Sequence, residues 1–122
     1  MKKSKLWAFV ILLSLNAEAK NVVCSINHYP KIKTYIESIS NYDKFKHCAV
    51  SCFLARRCHS VEVLNIGILK ELIDLVTPGD ADWQDLQADY DGVNFAKANK
   101  KTSDKSCEKF CKKAHPKPDC FP

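Results

Sequence analysis

The chain has 122 residues, seven of them cysteines, and a formal net charge of +5. This length fits one small domain, and only three glycines are present, so a glycine-rich phosphate loop is excluded. The charge is modest and no stripe of basic and aromatic residues accompanies it, which argues against a nucleic-acid-binding protein.

The N-terminal residues have the pattern of a cleavable secretion signal. Lysines at positions 2, 3 and 5 precede an apolar run over residues 6–15, and Ala17 and Ala19 form an Ala-x-Ala end. The run is about half of the roughly 20 residues that span a bilayer as a helix. The sequence therefore predicts a signal peptide over residues 1–19 and a mature domain over residues 20–122 that is periplasmic or secreted, with no transmembrane segment. An uncleaved anchor and lipidation of Cys24 are the alternatives.

Helical periodicity predicts two helices at the start of the mature domain. Pro30 suits the first turn of a short helix whose apolar positions are Ile32, Tyr35, Ile36 and Ile39. The second helix is predicted from about Asn41 to Arg57, with Asn41 or Asp43 as its cap. Its inward positions recur at helical spacing and are Phe45, Cys48, Ala49, Cys52 and Phe53.

Three further helices follow in the second half of the chain. The apolar residues of a helix over residues 60–76 cover more than half of its circumference, so we expect it to be the most buried helix. The next helix begins near residues 80–82, and its predicted inward stripe is Trp83, Leu86, Tyr90 and Val93. The last covers about residues 103–114, with Cys107, Phe110, Cys111 and Ala114 inward. No stretch alternates as a strand does, so the predicted fold is all-α, a small disulfide-stapled bundle of four to five helices.

The cysteines predict an oxidising compartment and a disulfide framework. All seven lie after residue 19, a high density for so short a chain. Two pairs have a spacing of four, which places both sulfurs on one helix face, so two antiparallel helices can be joined by Cys48–Cys111 and Cys52–Cys107. In the alternative, each pair is split between different partners.

The remaining cysteines leave several arrangements open. With the ladder formed, Cys58 pairs with Cys24 or with Cys120. Seven is an odd number, so the protein is a monomer with one thiol left over or a disulfide-linked dimer. Zinc binding by the clustered cysteines is a rival interpretation, although secretion favours oxidation and no CxxC pair is present.

Charge is unevenly distributed along the chain. Residues 71–91 hold seven acidic residues and no basic one, whereas residues 97–117 hold eight lysines. The basic segment predicts attraction to an envelope component or an anionic polymer. In the alternative, the basic last helix packs against the acidic region.

Polar residues that border the apolar stripes form the candidate binding site. Asp85 and Asp89 lie four residues apart, where like charges weaken a helix unless a cation or a function offsets them. A histidine with several carboxylates can bind a divalent cation or act as an acid–base pair. No metal-spaced motif such as HExxH is present, so no metal ligands and no catalytic residues are assigned. The ligand-binding candidates are His47, Glu71, Asp85, Asp89, Asp43, Lys44 and Asp74.

A structural interpretation of the same residues stays open. In it, His47 is a partly buried histidine that bonds to Asp43 or Ser51. Asp85 and Asp89 form a solvated face bridged by Lys44 or Lys70, and Asp80 and Asp82 cap a helix.

Three segments carry a resemblance to a known family. They are Asp43-Lys44-Phe45-Lys46-His47, then Gly67 to Glu71 with Asp74, then Asp82 to Asp89 with Gly92. In this order, residues 43–92 resemble the YfiM-like periplasmic lipoproteins and, more loosely, the VanZ-like envelope proteins. The resemblance implies a bundle in which the histidine, glutamate and aspartate positions converge, and an envelope role with glycopeptide- or lipid-related ligands. The chain departs from that family in the cysteines of its helices, in its tail from Cys107 to Cys120 and in its lack of a clear lipid-attachment site. Residues 103–122 form a basic, cysteine-containing C-terminal helix and tail.

Two functions follow from these observations. The first is a small bacterial envelope-associated protein whose cluster of His47, Glu71, Asp85 and Asp89 comes together in space and binds a ligand or a cation. The alternative is a secreted, disulfide-stabilised interaction protein, an effector or inhibitor, without catalytic activity.

Overall fold

The computed structural model describes residues 24–77 and 81–118, and within these ranges the chain forms five helices and no strand. They are α1 (residues 24–39), α2 (Asp43–Arg57), α3 (Ser60–Val76), α4 (Trp83–Ala98) and α5 (Asp104–Ala114). The predicted all-α bundle is confirmed. The predicted signal peptide, residues 1–19, lies outside the described residues. Within the described ranges, no helix has both the length and the hydropathy that crossing a bilayer requires.

The centre of the bundle is the contact between α2 and α4. Gly92 makes it possible, because a Cβ at this position would overlap the carbonyl oxygen of Cys48 and lie 3.0 Å from the amide nitrogen of Cys52. The two helix backbones therefore touch. The inward stripe predicted for α2 is correct, since all five of its members are buried: Phe45, Cys48, Ala49, Cys52 and Phe53.

Three disulfides tie the described helices together. Cys48–Cys111 and Cys52–Cys107 join α2 to α5, as the antiparallel ladder predicts, and Cys24–Cys58 joins the start of α1 to the end of α2. Cys58 thus takes the first of its two predicted partners. Cys120 lies outside the described residues. The six cysteines in these three disulfides are oxidised, so they offer no thiolates to a zinc ion, as the rival interpretation requires.

The prediction that α3 is the most buried helix is wrong. Its buried residues are Glu62, Val63 and Glu71, whereas Ile68, Leu69, Leu72, Ile73, Leu75 and Val76 are between 46% and 84% exposed. The compact α2–α4 pair has room for one side of α3, and that side carries polar as well as apolar residues. The apolar side of α3 has no covering element in the described part of the chain. We call these six exposed residues the α3 apolar face.

Other boundaries and stripes differ from the sequence predictions in smaller ways. The first helix begins by residue 24, so Pro30 lies inside it rather than in its first turn. The N-cap of α2 is Tyr42, without a side-chain cap bond, and not Asn41 or Asp43.

The inward stripe of α4 also differs from the prediction. Val93 is buried as predicted, but Trp83 and Tyr90 are 59% and 50% exposed, because Asp89, one residue before Tyr90, takes the inward position. The buried positions of α4 are Asp85, Ala88, Asp89, Gly92, Val93 and Ala96.

Helix α5 is held by aromatic stacking as well as by disulfides. Phe110 stacks on Phe95 of α4 with ring centroids 4.3 Å apart, while Ala114 is exposed rather than inward. Ser103 caps the helix by accepting a hydrogen bond from the amide of Ser106.

Candidate functional site

His47 lies on α2 where that helix faces the polar part of the α4 stripe. Its Nδ1 is 3.2 Å from Oδ1 of Asp89, and Ser51 donates a hydrogen bond of 2.8 Å to the same oxygen. Asp89 is 5% exposed, and its other oxygen lies where a Cβ on Gly67 would be 2.6 Å away. The imidazole ring is therefore fixed through one nitrogen by a buried carboxylate that α3 leaves room for.

The second ring nitrogen of His47 faces two further carboxylates. Its Nε2 is 3.3 Å from Oδ2 of Asp85 and 3.9 Å from Oδ2 of Asp43. These distances exceed an ordinary hydrogen bond, and none to Nε2 is formed within the described part of the chain. Ligand atoms of the three residues all lie within 4.8 Å of one another, a spacing that could hold a metal ion. We call Asp43, His47 and Asp85 the metal cluster.

Lys44 balances part of the negative charge. Its ammonium donates to Oδ1 of Asp85 at 2.5 Å and also contacts Asp82. The contact uses one oxygen of Asp85 and leaves Oδ2 for the position in front of His47. Four carboxylates and one ammonium surround the ring (Asp43, Asp82, Asp85, Asp89 and Lys44), so the site carries three net negative charges when His47 is neutral.

The electrostatic setting favours a cation at the ring. Burial alone would lower the pKa of His47, but the hydrogen bond to Asp89 and the charges of Asp89, Asp85 and Asp43 outweigh burial and raise it. Burial raises the pKa of Asp85, although the hydrogen bond from Lys44 and the charge of His47 oppose the rise. The carboxylates thus stabilise positive charge in front of Nε2.

Glu71 is fully buried, but it does not contact His47. Its Oε2 accepts a hydrogen bond of 2.8 Å from the amide of Asp82, and its Oε1 is 3.4 Å from Nζ of Lys70. Glu71 therefore fixes the residue that precedes α4, and through Asp82 it is linked to Lys44. Asp74 pairs with Lys70 at 3.0 Å on the outer side of α3, away from the metal cluster.

The structure brings together His47, Asp85 and Asp89 with Asp43 and Lys44, and it adds residues that the sequence did not single out for the site. Asp82 caps α4 by accepting a hydrogen bond from the amide of Gln84, as expected, and also holds Lys44. Gly67 gives Asp89 its space. The spacing of Gly67 and Asp89 on two separate helices contained no signal for that contact.

A groove of about 560 Å³ opens beside the metal cluster. It lies between α1, α2 and α3, with Asp43, His47, Ser51 and Asp89 among its lining residues. Most of its wall is apolar and includes Ile26, Tyr29, Pro30, Ile36, Val50, Leu54, Val63 and Ile66. The volume falls within the range of roughly 300–1,000 Å³ typical of small-molecule pockets.

Comparison with known proteins gives no match to a family model, a curated protein or a solved structure. The resemblance of residues 43–92 to the YfiM-like and VanZ-like proteins therefore stays a prediction. The function has to be inferred from the geometry of the site.

Proposed function

We propose that this is an extracytoplasmic protein that binds a divalent metal ion at the metal cluster, between Nε2 of His47 and the carboxylates of Asp85 and Asp43. One observation carries the proposal. Nδ1 of His47 is bonded to Asp89 while Nε2 faces two carboxylates. A metal-binding histidine commonly donates its other ring N–H to a carboxylate, which fixes the tautomer and orients the ring.

The ligand spacing supports a small transition metal such as zinc. Zinc bonds to nitrogen and oxygen are about 2.0–2.2 Å long, so adjacent ligands of a tetrahedral ion are about 3.3–3.5 Å apart. The 3.3 Å from His47 to Asp85 fits that spacing, and the 3.9 Å to Asp43 requires a small movement of an exposed side chain. Three protein ligands leave one coordination position for water or for another ligand.

Isothermal titration with zinc tests the proposal. We expect one equivalent to bind and Asp43→Asn to weaken binding by about tenfold or more, because a ligand is lost while the fold keeps its contacts. Asp74→Asn is the matched control, since Asp74 is an aspartate paired with a lysine outside the cluster. Equal zinc affinity in both variants, or no zinc binding to the native protein, would contradict the proposal.

The compartment is part of the same proposal. Three disulfides within the described residues support folding in an oxidising space, because such bonds rarely persist in the cytosol. We place the protein in the bacterial periplasm or outside the cell, and we assign it an envelope-associated role. Intact-mass measurement on protein from an exporting host tests this: we expect a chain that begins at about Lys20, and retention of residues 1–19 would contradict it.

The α3 apolar face supports a second function, that of an interaction protein. Monomeric soluble proteins rarely expose apolar patches larger than a few hundred Å². The face is apolar along its length, and a second copy of this chain related by a two-fold axis would present the same apolar surface to it, so we assign it to a second copy of this chain. Sedimentation velocity should show dimers that Leu72→Asp disrupts while Trp83→Asp, outside the face, does not. A monomer at every concentration would overturn this second function.

A further inference from the structure

The groove beside the metal cluster has the features of a site for an elongated ligand. It follows α3 from Val63 to Lys70, a rise of about 10 Å at 1.5 Å per residue. Its apolar wall comes from three helices, and its polar end is formed by His47, Asp43 and Asp89. A ligand that fits it has an apolar body and one polar head.

A second polar feature lines the groove at the start of α1. Ser25 is 1% exposed and its Oγ has no hydrogen-bond partner in the described residues. Its amide donates to Oε1 of Glu62 at 3.0 Å, and Oε2 of Glu62 is likewise buried without a partner. Buried polar atoms are costly to leave unpaired, so we expect water at this end of the groove to pair with Ser25 and Glu62, because the apolar body of a ligand cannot.

The metal ion and the lysines of the groove decide the head group. Three lysines and three carboxylates line it: Lys33, Lys46, Lys70, Glu37, Asp43 and Asp89. With His47 neutral, as a metal ligand must be, these six charges cancel. A divalent ion offsets two of the three net negative charges around His47, and its open coordination position accepts an anionic ligand atom. Lys46 pairs only loosely with Asp43, at 3.8 Å, and is available to a second anion once Asp43 binds the metal.

We propose that the groove binds an anionic amphiphile whose chain lies along α3 between α1 and α2, and whose carboxylate or phosphate head occupies the open position of the metal ion. This inference rests on the proposed metal site. The protein then recognises its ligand in two parts, with the apolar body held by the groove and the head group selected by the ion and Lys46.

Displacement of the neutral fluorescent probe N-phenyl-1-naphthylamine tests the proposal on protein purified from an exporting host. The competitors are decanoate, decyl phosphate, decanol and decylamine, each with and without one equivalent of zinc. We expect zinc to strengthen decanoate or decyl phosphate by about tenfold or more, the worth of one charge-assisted contact, and to leave decanol unchanged. The preferred head distinguishes a carboxylate from a phosphate ligand.

Variants separate the groove from the metal site. Ile66→Trp fills the groove and should abolish probe and decanoate binding while one equivalent of zinc still binds. Ile73→Trp on the exposed side of α3 is the matched control and should change neither. Retained zinc binding in Ile66→Trp shows that the variant is folded. Should it not fold, a decanoate with a nitroxide at its tail serves instead. It should broaden the amide signals of Val63 and Ile66 most strongly, and the broadening should fall off toward Val76, about 20 Å along the helix from Val63.

The outcomes distinguish this inference from the function on which it rests. Absence of zinc binding in the direct titration overturns both. Zinc binding without any zinc-dependent gain for the anionic heads overturns the amphiphile proposal alone. Decylamine or decanol binding as tightly as decanoate in the presence of zinc overturns it as well, as does nitroxide broadening on the α3 apolar face instead of the groove.

Discussion

At the scale of single residues, two glycines determine how the site is assembled. A Cβ on Gly92 would meet the backbone of α2, whereas a Cβ on Gly67 would meet the end of the Asp89 side chain. The first contact is between rigid main chains, and the second involves a carboxylate that can rotate. The same substitution should therefore affect stability at Gly92 and zinc binding at Gly67.

Gly92→Ala should destabilise the protein strongly. The methyl group forces α2 and α4 apart, and overpacking of this kind costs about 1–3 kcal/mol or more. The better helix propensity of alanine returns about 1 kcal/mol at most. Urea denaturation followed by circular dichroism measures the difference. A variant as stable as the native protein would show that the two backbones do not touch.

Gly67→Ala should leave stability nearly unchanged but weaken zinc binding. The added methyl group displaces the Asp89 carboxylate, so His47 loses the partner that orients its ring. Loss of such a partner costs about 10–100-fold in metal affinity. Titration of the variant with zinc, alongside its urea midpoint, separates the two effects. An unchanged zinc affinity would mean that Asp89 does not position His47.

Asp104 should make stability depend on acid pH. Burial would raise the pKa of Asp104, but hydrogen bonds and charges from Arg57 and Arg56 outweigh burial and lower it. A carboxyl group whose pKa is lower in the folded state contributes stability above its unfolded pKa, about 3.9, and loses it as pH falls through the folded value. The native protein should exceed Asp104→Asn in stability near neutral pH, and the gap should close below about pH 4.

Thermal melting from neutral to strongly acid pH measures that gap. Because the Asp104 side chain is 35% exposed, solvent screens the pair, and we expect on the order of 1 kcal/mol or less. Glu37→Gln, which removes an exposed pair within α1, is the control and should show a smaller gap. A gap that persists unchanged in acid would exclude the ion pair as its source.

At the scale of helices, the α2–α5 ladder holds a segment that is too short to be stable alone. Helix α5 has 11 residues, and isolated helices below about 12–15 residues are marginal in water. Two disulfides, Cys48–Cys111 and Cys52–Cys107, attach it to α2, and the stacking of Phe110 on Phe95 attaches it to α4. Removal of one disulfide should leave α5 docked by the other.

Hydrogen exchange tests how the ladder acts. Replacing Cys52 and Cys107 by alanine should cost about 2–4 kcal/mol and leave the α5 amides protected, while replacing all four ladder cysteines should expose them. The Cys24→Ala, Cys58→Ala variant is the control, because it removes a bond of α1 and should leave α5 protected. Full protection of α5 without either ladder bond would show that packing alone holds it.

The helices themselves were largely predictable from the sequence, whereas their burial was not. The apolar spacing of α2 and the CxxxC pairs specify faces, and those faces pack as expected. For α3, the wide apolar arc did not predict burial, because burial depends on which elements cover a face. The neighbouring helices cover the side of α3 that carries Glu62 and Glu71. The Lys44–Asp82 contact depends on where the residue that precedes α4 lies relative to α2, and helical periodicity carries no information on that placement.

At the scale of the whole molecule, the candidate site lies between helices that are joined by disulfides and helices that are held only by non-covalent contacts. The disulfides of the described residues join α1, α2 and α5, whereas α3 and α4 are held by packing and by the polar contacts around His47. The metal cluster spans this division, with two residues on α2 and one on α4. A metal ion bound there would link α4 to the stapled part of the bundle.

The imidazole nitrogens give the most direct test of the metal centre. The chain has four histidines, at positions 28, 47, 59 and 115, and long-range proton–nitrogen NMR spectra resolve both nitrogens of each ring. On addition of one equivalent of zinc, we predict that Nε2 of His47 alone takes the shift of a metal-bound nitrogen, while its Nδ1 stays protonated toward Asp89. A zinc titration that leaves His47 unchanged, or that shifts another histidine in its place, would contradict the account.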